Sequence, residues 1–127
     1  MHLSVESGKP LDALRDDLRR ALAAEGLRVA SESDARQRIA ETATKGARGS
    51  FVFEIADPLP GLRAEAAAAS GSTFRVAGYE MPGGKTRLST LRPTELVGLL
   101  GHPELSVPAL ALERSLEAAM KSAAGWA

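Results

Sequence analysis

Phe51-Val52-Phe53-Glu54-Ile55, then Phe74-Arg75-Val76-Ala77-Gly78-Tyr79, then Lys85-Thr86-Arg87-Leu88-Ser89-Thr90-Leu91 carry the argument for the architecture. In the first run Phe51, Phe53 and Ile55 recur at period two, with Val52 and Glu54 between them. One apolar and one mixed face is the pattern of a strand buried on a single side. The second run alternates in the same way. Met81-Pro82-Gly83-Gly84 then breaks it, because Pro presets φ for a turn and Gly accepts positive φ. The third run resumes as a strand, rich in β-formers but more polar. A β-hairpin is predicted over Tyr79–Leu91, with Lys85 and Arg87 placing its second strand near a sheet edge.

Between the first two strands, Asp57-Pro58-Leu59-Pro60-Gly61 leads into an Ala-rich run, Leu62 to Ser70, closed by Gly71. These are helix start and stop signals. The helix is too short to stand alone and must pack on the sheet.

Outside this centre, Leu3 and Val5 alternate with polar neighbours and suggest a short first strand. From Pro10 the period becomes helical. Leu11, Leu14, Leu18 and Leu22 form an apolar stripe, with Asp12, Arg15, Asp16, Arg19 and Arg20 opposite. Pro10 suits a first helical position and Gly26 a C-terminal stop. Leu27 to Glu32 reads as a short strand, and Asp34 as the N-cap of a short helix over Ala35–Thr42. Pro93 opens a helix through Leu96, Val97, Leu99 and Leu100, with Thr90 or Thr94 as its cap in place of Arg92. Leu105–Ala124 forms a last helix with Leu105, Ala109, Leu112, Leu116 and Met120 as its stripe. Trp126 ends the chain, either tucked onto the body or facing a partner.

The order β-α-β-α-β-α-β-β-α-α predicts a single α+β domain over residues 1–127. It has two layers: a mixed or mostly antiparallel sheet with helices packed on one face. The 127 residues carry 16 basic and 16 acidic side chains. This neutral balance argues against a dedicated nucleic-acid binder. Cysteine is absent, which removes disulfides, thiol catalysis and Cys-ligated metal sites. The first residues lack a signal-peptide pattern and no run spans a bilayer, so a cytoplasmic protein away from membranes is expected.

The element order, together with Ala24-Glu25-Gly26-Leu27-Arg28-Val29, Ala56-Asp57-Pro58, Pro93-Thr94-Glu95-Leu96 and Gly101-His102-Pro103-Glu104-Leu105, resembles the DUF302 family of small prokaryotic domains. The resemblance runs from about Val5 to Met120. It implies a compact α+β domain, often a homodimer, without an established biochemical function. A Cys-Asn-Pro-like triplet and a Pro-Cys pair are frequent in that family. This chain has Ala56-Asp57-Pro58 at the triplet and no thiol at all, so thiol-based metal or redox work is closed to it.

Specific chemistries find little purchase. Gly83-Gly84-Lys85-Thr86 looks like the end of a phosphate loop, but the upstream Gly that motif needs falls on Tyr79, and the segment opens a strand. A weaker version remains: a Gly-rich turn can offer amides to an anion, with Lys85 and Arg87 adding charge. His2 and His102 are the only histidines, too few for a metal set or a catalytic triad. Asp57 beside Glu54 suits a turn or cap better than a general base. Lys45, Arg48 and Arg63 read as solvated loop charge. The expectation is a homodimeric ligand- or protein-binding module, leaning away from an enzyme, with no cofactor and no metal. Its ligand-binding candidates are Asp57, Tyr79, Lys85 and Arg87. The alternative is a small enzyme or sensor with a pocket near the end of the central strand and the Pro-Gly-Gly hairpin.

Overall fold

The computed structural model describes residues 2–34, 49–56, 74–99, 101 and 103–126. Five strands form one sheet: β1 (His2–Ser7), β2 (Val29–Asp34), β3 (Ser50–Ile55), β4 (Arg75–Glu80) and β5 (Thr86–Leu91). Three helices accompany it: α1 (Leu11–Ala24), α2 (Pro93–Leu99) and α3 (Ser106–Ala124), the last preceded by a 3-10 turn over Pro103–Leu105. The strand order is β1-β5-β4-β3-β2 and every neighbouring pair is antiparallel. The α+β expectation holds, and the sheet is antiparallel throughout rather than mixed. The expected helices over Ala35–Thr42 and Leu62–Ser70, with Asp57, Pro58, Lys45, Arg48, Arg63 and His102, lie outside the described residues.

The core sits between one sheet face and helices α1 and α3. Leu3 and Val5, Phe51, Phe53 and Ile55, Phe74 and Val76, and Leu88 point into it from the strands. Leu14, Leu18 and Leu22 answer from α1, and Ala109, Leu116, Ala119 and Met120 from α3. Each fully buried Leu is worth roughly 1.5–3 kcal/mol, so these stripes hold the helices to the sheet. Alanines on α3 let it lie close to α1. Gly78 in β4 stands directly opposite Phe51 in β3, and a Cβ there would overlap the Phe51 ring. The aromatic ring occupies the space a side chain would have taken.

Local signals explain the element ends. Pro10 takes the N-cap position, one residue earlier than expected, and its carbonyl accepts the first helical bond from Leu14 N–H at 2.9 Å. At the other end the Leu27 N–H reaches the Leu22 carbonyl at 2.9 Å and Gly26 N–H the Ala23 carbonyl at 3.0 Å. With Gly26 at φ 75°, this is a Schellman stop. The cap of α2 comes from elsewhere in the chain. Glu113 of α3, its side chain only 12% exposed, accepts from Thr94 Oγ1 at 2.7 Å and Thr94 N–H at 3.4 Å. Thr90, the other expected cap, instead donates to the Arg75 carbonyl at 2.7 Å.

Strand β5 is not at an edge. It lies between β1 and β4, which corrects the placement expected from Lys85 and Arg87. An internal strand with one solvated face alternates as an edge strand does, and its charges point out of the sheet plane rather than along it. Among the described strands the edges are β1 and β2. Strand β2 starts two residues later than predicted, with a register shift between Val29 and Ser31. It is tied to α1 by Arg19, whose Nε and Nη2 bond the two Glu32 oxygens at 2.8 and 2.6 Å, and by Arg15 to Asp34 at 3.2 Å.

Candidate functional site

The second sheet face has no described helix on it. The registers carry three rows across it. Ser4, Ser89, Ala77, Val52 and Ser33 follow one another through all five strands. On one side of this row of small residues, Arg75 bonds Glu54 at 3.1 Å. On the other side Glu6, Arg87, Tyr79 and Ser50 stand in line across β1, β5, β4 and β3.

Arg87 is the centre of that last row. Its Nη2 donates to Glu6 Oε1 at 2.6 Å. The Glu6 carboxylate and then the Tyr79 phenol raise the guanidinium pKa, and Arg87 in turn lowers that of Glu6. The Arg87 Nε is buried and has no hydrogen-bond partner among the described residues. A cross-strand row of this kind fixes a long side chain that would otherwise sample many rotamers. Lys85 is exposed on the turn and contributes a further lowering of the Glu6 pKa. The turn itself has Gly83 at φ 88° and Gly84 at φ 84°, with Met81 N–H bonded to the Lys85 carbonyl at 2.6 Å.

Three of the four expected site residues, Tyr79, Lys85 and Arg87, therefore gather at one end of the helix-free face. Asp57 lies outside the described residues. Ile55 and Ala56, which lead to it, are at the other end of the sheet, since Glu54 pairs with Arg75 while Ser50 pairs with Tyr79. Four residue steps separate those ends, about 14 Å at the rise of a strand. The end of β3 and the Pro-Gly-Gly turn thus frame two separate places rather than one pocket.

One member of the row, Glu6, escaped the sequence reading, and of the two alternatives for Trp126 the structure shows one. Glu6 shares the outward phase of β1 with Ser4, which is legible, but its meeting with Arg87 depends on the strand order. Trp126 is tucked onto the body. Its Nε1 donates to the Glu6 carbonyl at 2.8 Å, and Lys121 Nζ stands 5.9 Å from its ring centroid. The turn that delivers it is a second Schellman stop, with Trp126 N–H on the Lys121 carbonyl at 2.9 Å.

A cleft of about 520 Å³ opens at the other end of the molecule, between the end of α1 and the start of β2. Ala23, Leu27 and Val29 give it an apolar floor, and Arg19, Arg28 and Glu32 its rim. Ala56 N–H bonds the Arg28 carbonyl at 2.8 Å, so this cleft neighbours the end of β3. No three His, Asp or Glu side chains among the described residues are grouped as metal ligands. No described helix is long and apolar enough to cross a membrane.

A family model for a domain of unknown function, DUF302, matches residues 3–123. The chain belongs to the DUF302 family. A solved structure described as an uncharacterized conserved protein DUF302 from Bacillus stearothermophilus is similar to it, with a TM-score of 0.76 and 20% identity over 96% of this chain and 97% of that one. At that identity the likeness speaks for the fold. No curated protein matches the DUF302 chain in sequence. The DUF302 family is described as a domain of unknown function.

Proposed function

We propose that this DUF302 domain is a homodimeric, cytoplasmic binding module that takes a small anionic ligand at the Lys85–Arg87–Tyr79 corner of its helix-free sheet face. One observation supports the ligand site above others. Arg87 is held by Glu6 at 2.6 Å and stands across the strand from Tyr79, so its donors are set in direction before a ligand arrives. Preorganised donors lose less entropy on binding, and a planar guanidinium suits carboxylate or phosphate. Lys85 tips the local balance to positive, because Glu6 offsets only one of the two cations.

The homodimer draws its support from β2. Its outer edge has no partner strand among the described residues, and Ala30, Ser31, Glu32 and Ser33 are exposed. A second copy can extend the sheet there about a two-fold axis. The β1 edge is a poorer candidate, since the Trp126 indole already occupies the Glu6 carbonyl.

Native mass spectrometry of gently purified protein tests both parts at once. The expected result is a dimer mass with an anionic adduct that is absent from Arg87→Met. A monomer mass overturns the assembly. An adduct-free protein that shows no amide shift perturbation around Arg87 in millimolar phosphate or dicarboxylate overturns the site.

The cleft beside the end of β3 favours a second reading, a small enzyme or sensor with an apolar ligand held between Leu27 and Val29. Ligand-induced shifts at Ala23 and Val29 instead of Arg87 would select it.

A further inference from the structure

The chain contains one Trp and one Tyr, and both stand at the Arg87 end of the sheet. Glu6 connects them. Its carbonyl accepts from the Trp126 indole at 2.8 Å, and its carboxylate accepts from Arg87 at 2.6 Å, with Tyr79 on the far side of Arg87. The Glu6 residue and its two hydrogen bonds thus link the indole to the guanidinium. Although hydrogen-bonded, Trp126 remains 52% exposed. The indole therefore offers an open aromatic face with its polar N–H already satisfied. Lys121 by the ring is paired with Glu117 at 2.8 Å, so the charge it brings is already balanced. Lys85 is exposed on the turn and adds a second cation near Glu6.

We infer that the ligand of this corner is a small aromatic anion, an aryl ring carrying a phosphate or carboxylate. The ring lies on Trp126, and the anionic group meets Arg87 and Lys85. The inference rests on the anion site proposed above and adds its aromatic half. The indole is a stacking surface that accepts any flat ring, so it selects the class of ligand rather than one member. The anionic end brings orientation, because Glu6 holds the guanidinium fork from one side.

Trp126 is the sole indole, so its fluorescence reports on the site directly. Phenyl phosphate, inorganic phosphate and phenol are titrated separately into the full chain, with thermal melting as a second readout. Phenyl phosphate is expected to change the Trp126 emission saturably and to bind at least about ten-fold tighter than inorganic phosphate, the lower range of a stacking contribution. Arg87→Met should weaken phenyl phosphate binding while keeping the emission of the free protein. Trp126→Ala, followed by melting, should bring phenyl phosphate down to the affinity of inorganic phosphate, whereas Trp126→Phe should keep most of the difference. Equal affinity for phosphate and phenyl phosphate overturns the aromatic half and leaves the anion site standing. Binding of phenol as tight as that of phenyl phosphate also overturns the inference. No response to any of the three overturns both readings together.

Discussion

Gly78→Ala is the sharpest test of how the sheet is packed. The change adds one methyl group on the core face of β4, directly opposite Phe51. That methyl would overlap the Phe51 ring, and the ring has nowhere to retreat. Phe51 is 1% exposed and its centroid lies 5.1 Å from that of Phe53, which is fully buried. Overpacking of a tight core costs about 1–3 kcal/mol, and more when neighbours cannot yield. Replacing Gly by Ala in a strand returns about 0.5–1 kcal/mol through the unfolded state. At the upper end of that cost the net loss is about 2–2.5 kcal/mol. For a chain of this length the unfolding entropy near the midpoint is about 0.27 kcal/mol/K, so the melting temperature should fall by roughly 7–9 °C. The cause can be isolated in a double-mutant cycle with Phe51→Ala. Phe51→Ala alone should cost about 3–5 kcal/mol. In that background the added methyl enters empty space, and Gly78→Ala should stabilise by about 0.5–1 kcal/mol. Urea denaturation of the four proteins gives the coupling. The reasoning is refuted if Gly78→Ala costs the same with and without the Phe51 ring.

Four further outcomes can be checked with the same methods. Leu18→Ala should cost about 2–5 kcal/mol, while Leu110→Ala, 39% exposed on α3, should cost far less; equal losses would mean the helical phases are wrong. Glu113→Ala leaves the Thr94 N–H without its carboxylate and should destabilise by about 1–2 kcal/mol in urea, with Thr94→Ala costing less. Arg19→Met should change stability by no more than about 1 kcal/mol, because its pairs with Glu32 and Asp16 are largely exposed. Glu6, Asp17, Glu32 and Glu117 all have pKa values lowered by hydrogen bonds from Arg87, Lys9, Arg19 and Lys121 respectively. A depressed carboxyl pKa contributes stability that is complete above the unfolded values of 3.8 and 4.5 and is lost as pH falls through the folded ones. Melting temperature should therefore decline on acidification below about pH 4.5, and Glu6→Gln should soften that decline.

The parts of the fold that were legible in the sequence are those with large side chains at a clean period. Phe51, Phe53 and Ile55, or Leu14, Leu18 and Leu22, admit few readings because misplacing them exposes a great deal of apolar surface. Strand β2 was harder. Leu27 looked like a strand residue in phase with Val29, yet it closes the Schellman turn of α1, and its partial burial serves that cap. The position of β5 was illegible for a different reason, since alternation reports which way a side chain faces and says nothing about which strands lie alongside. The same gap governs the site. Tyr79 and Arg87 are separated by a short hairpin, so their meeting followed from the turn. The partnership of Glu6 with Arg87 spans 81 positions and that of Trp126 with Glu6 spans 120, and neither is carried by any local pattern.

Among the described residues strand β1 pairs only with β5, the last described strand in chain order. During synthesis from the N-terminus, β1 and α1 emerge long before that neighbour exists, while β3, β4 and β5 appear in an order that lets each pair with its predecessor. Loop-closure entropy must be met before such distant pairing gives anything back. The sheet should therefore assemble outward from β3-β4-β5 and take β1 last. Until then Leu3 and Val5 travel as an exposed, unpaired segment, and the lifetime of that segment sets how strongly folding of this domain competes with aggregation.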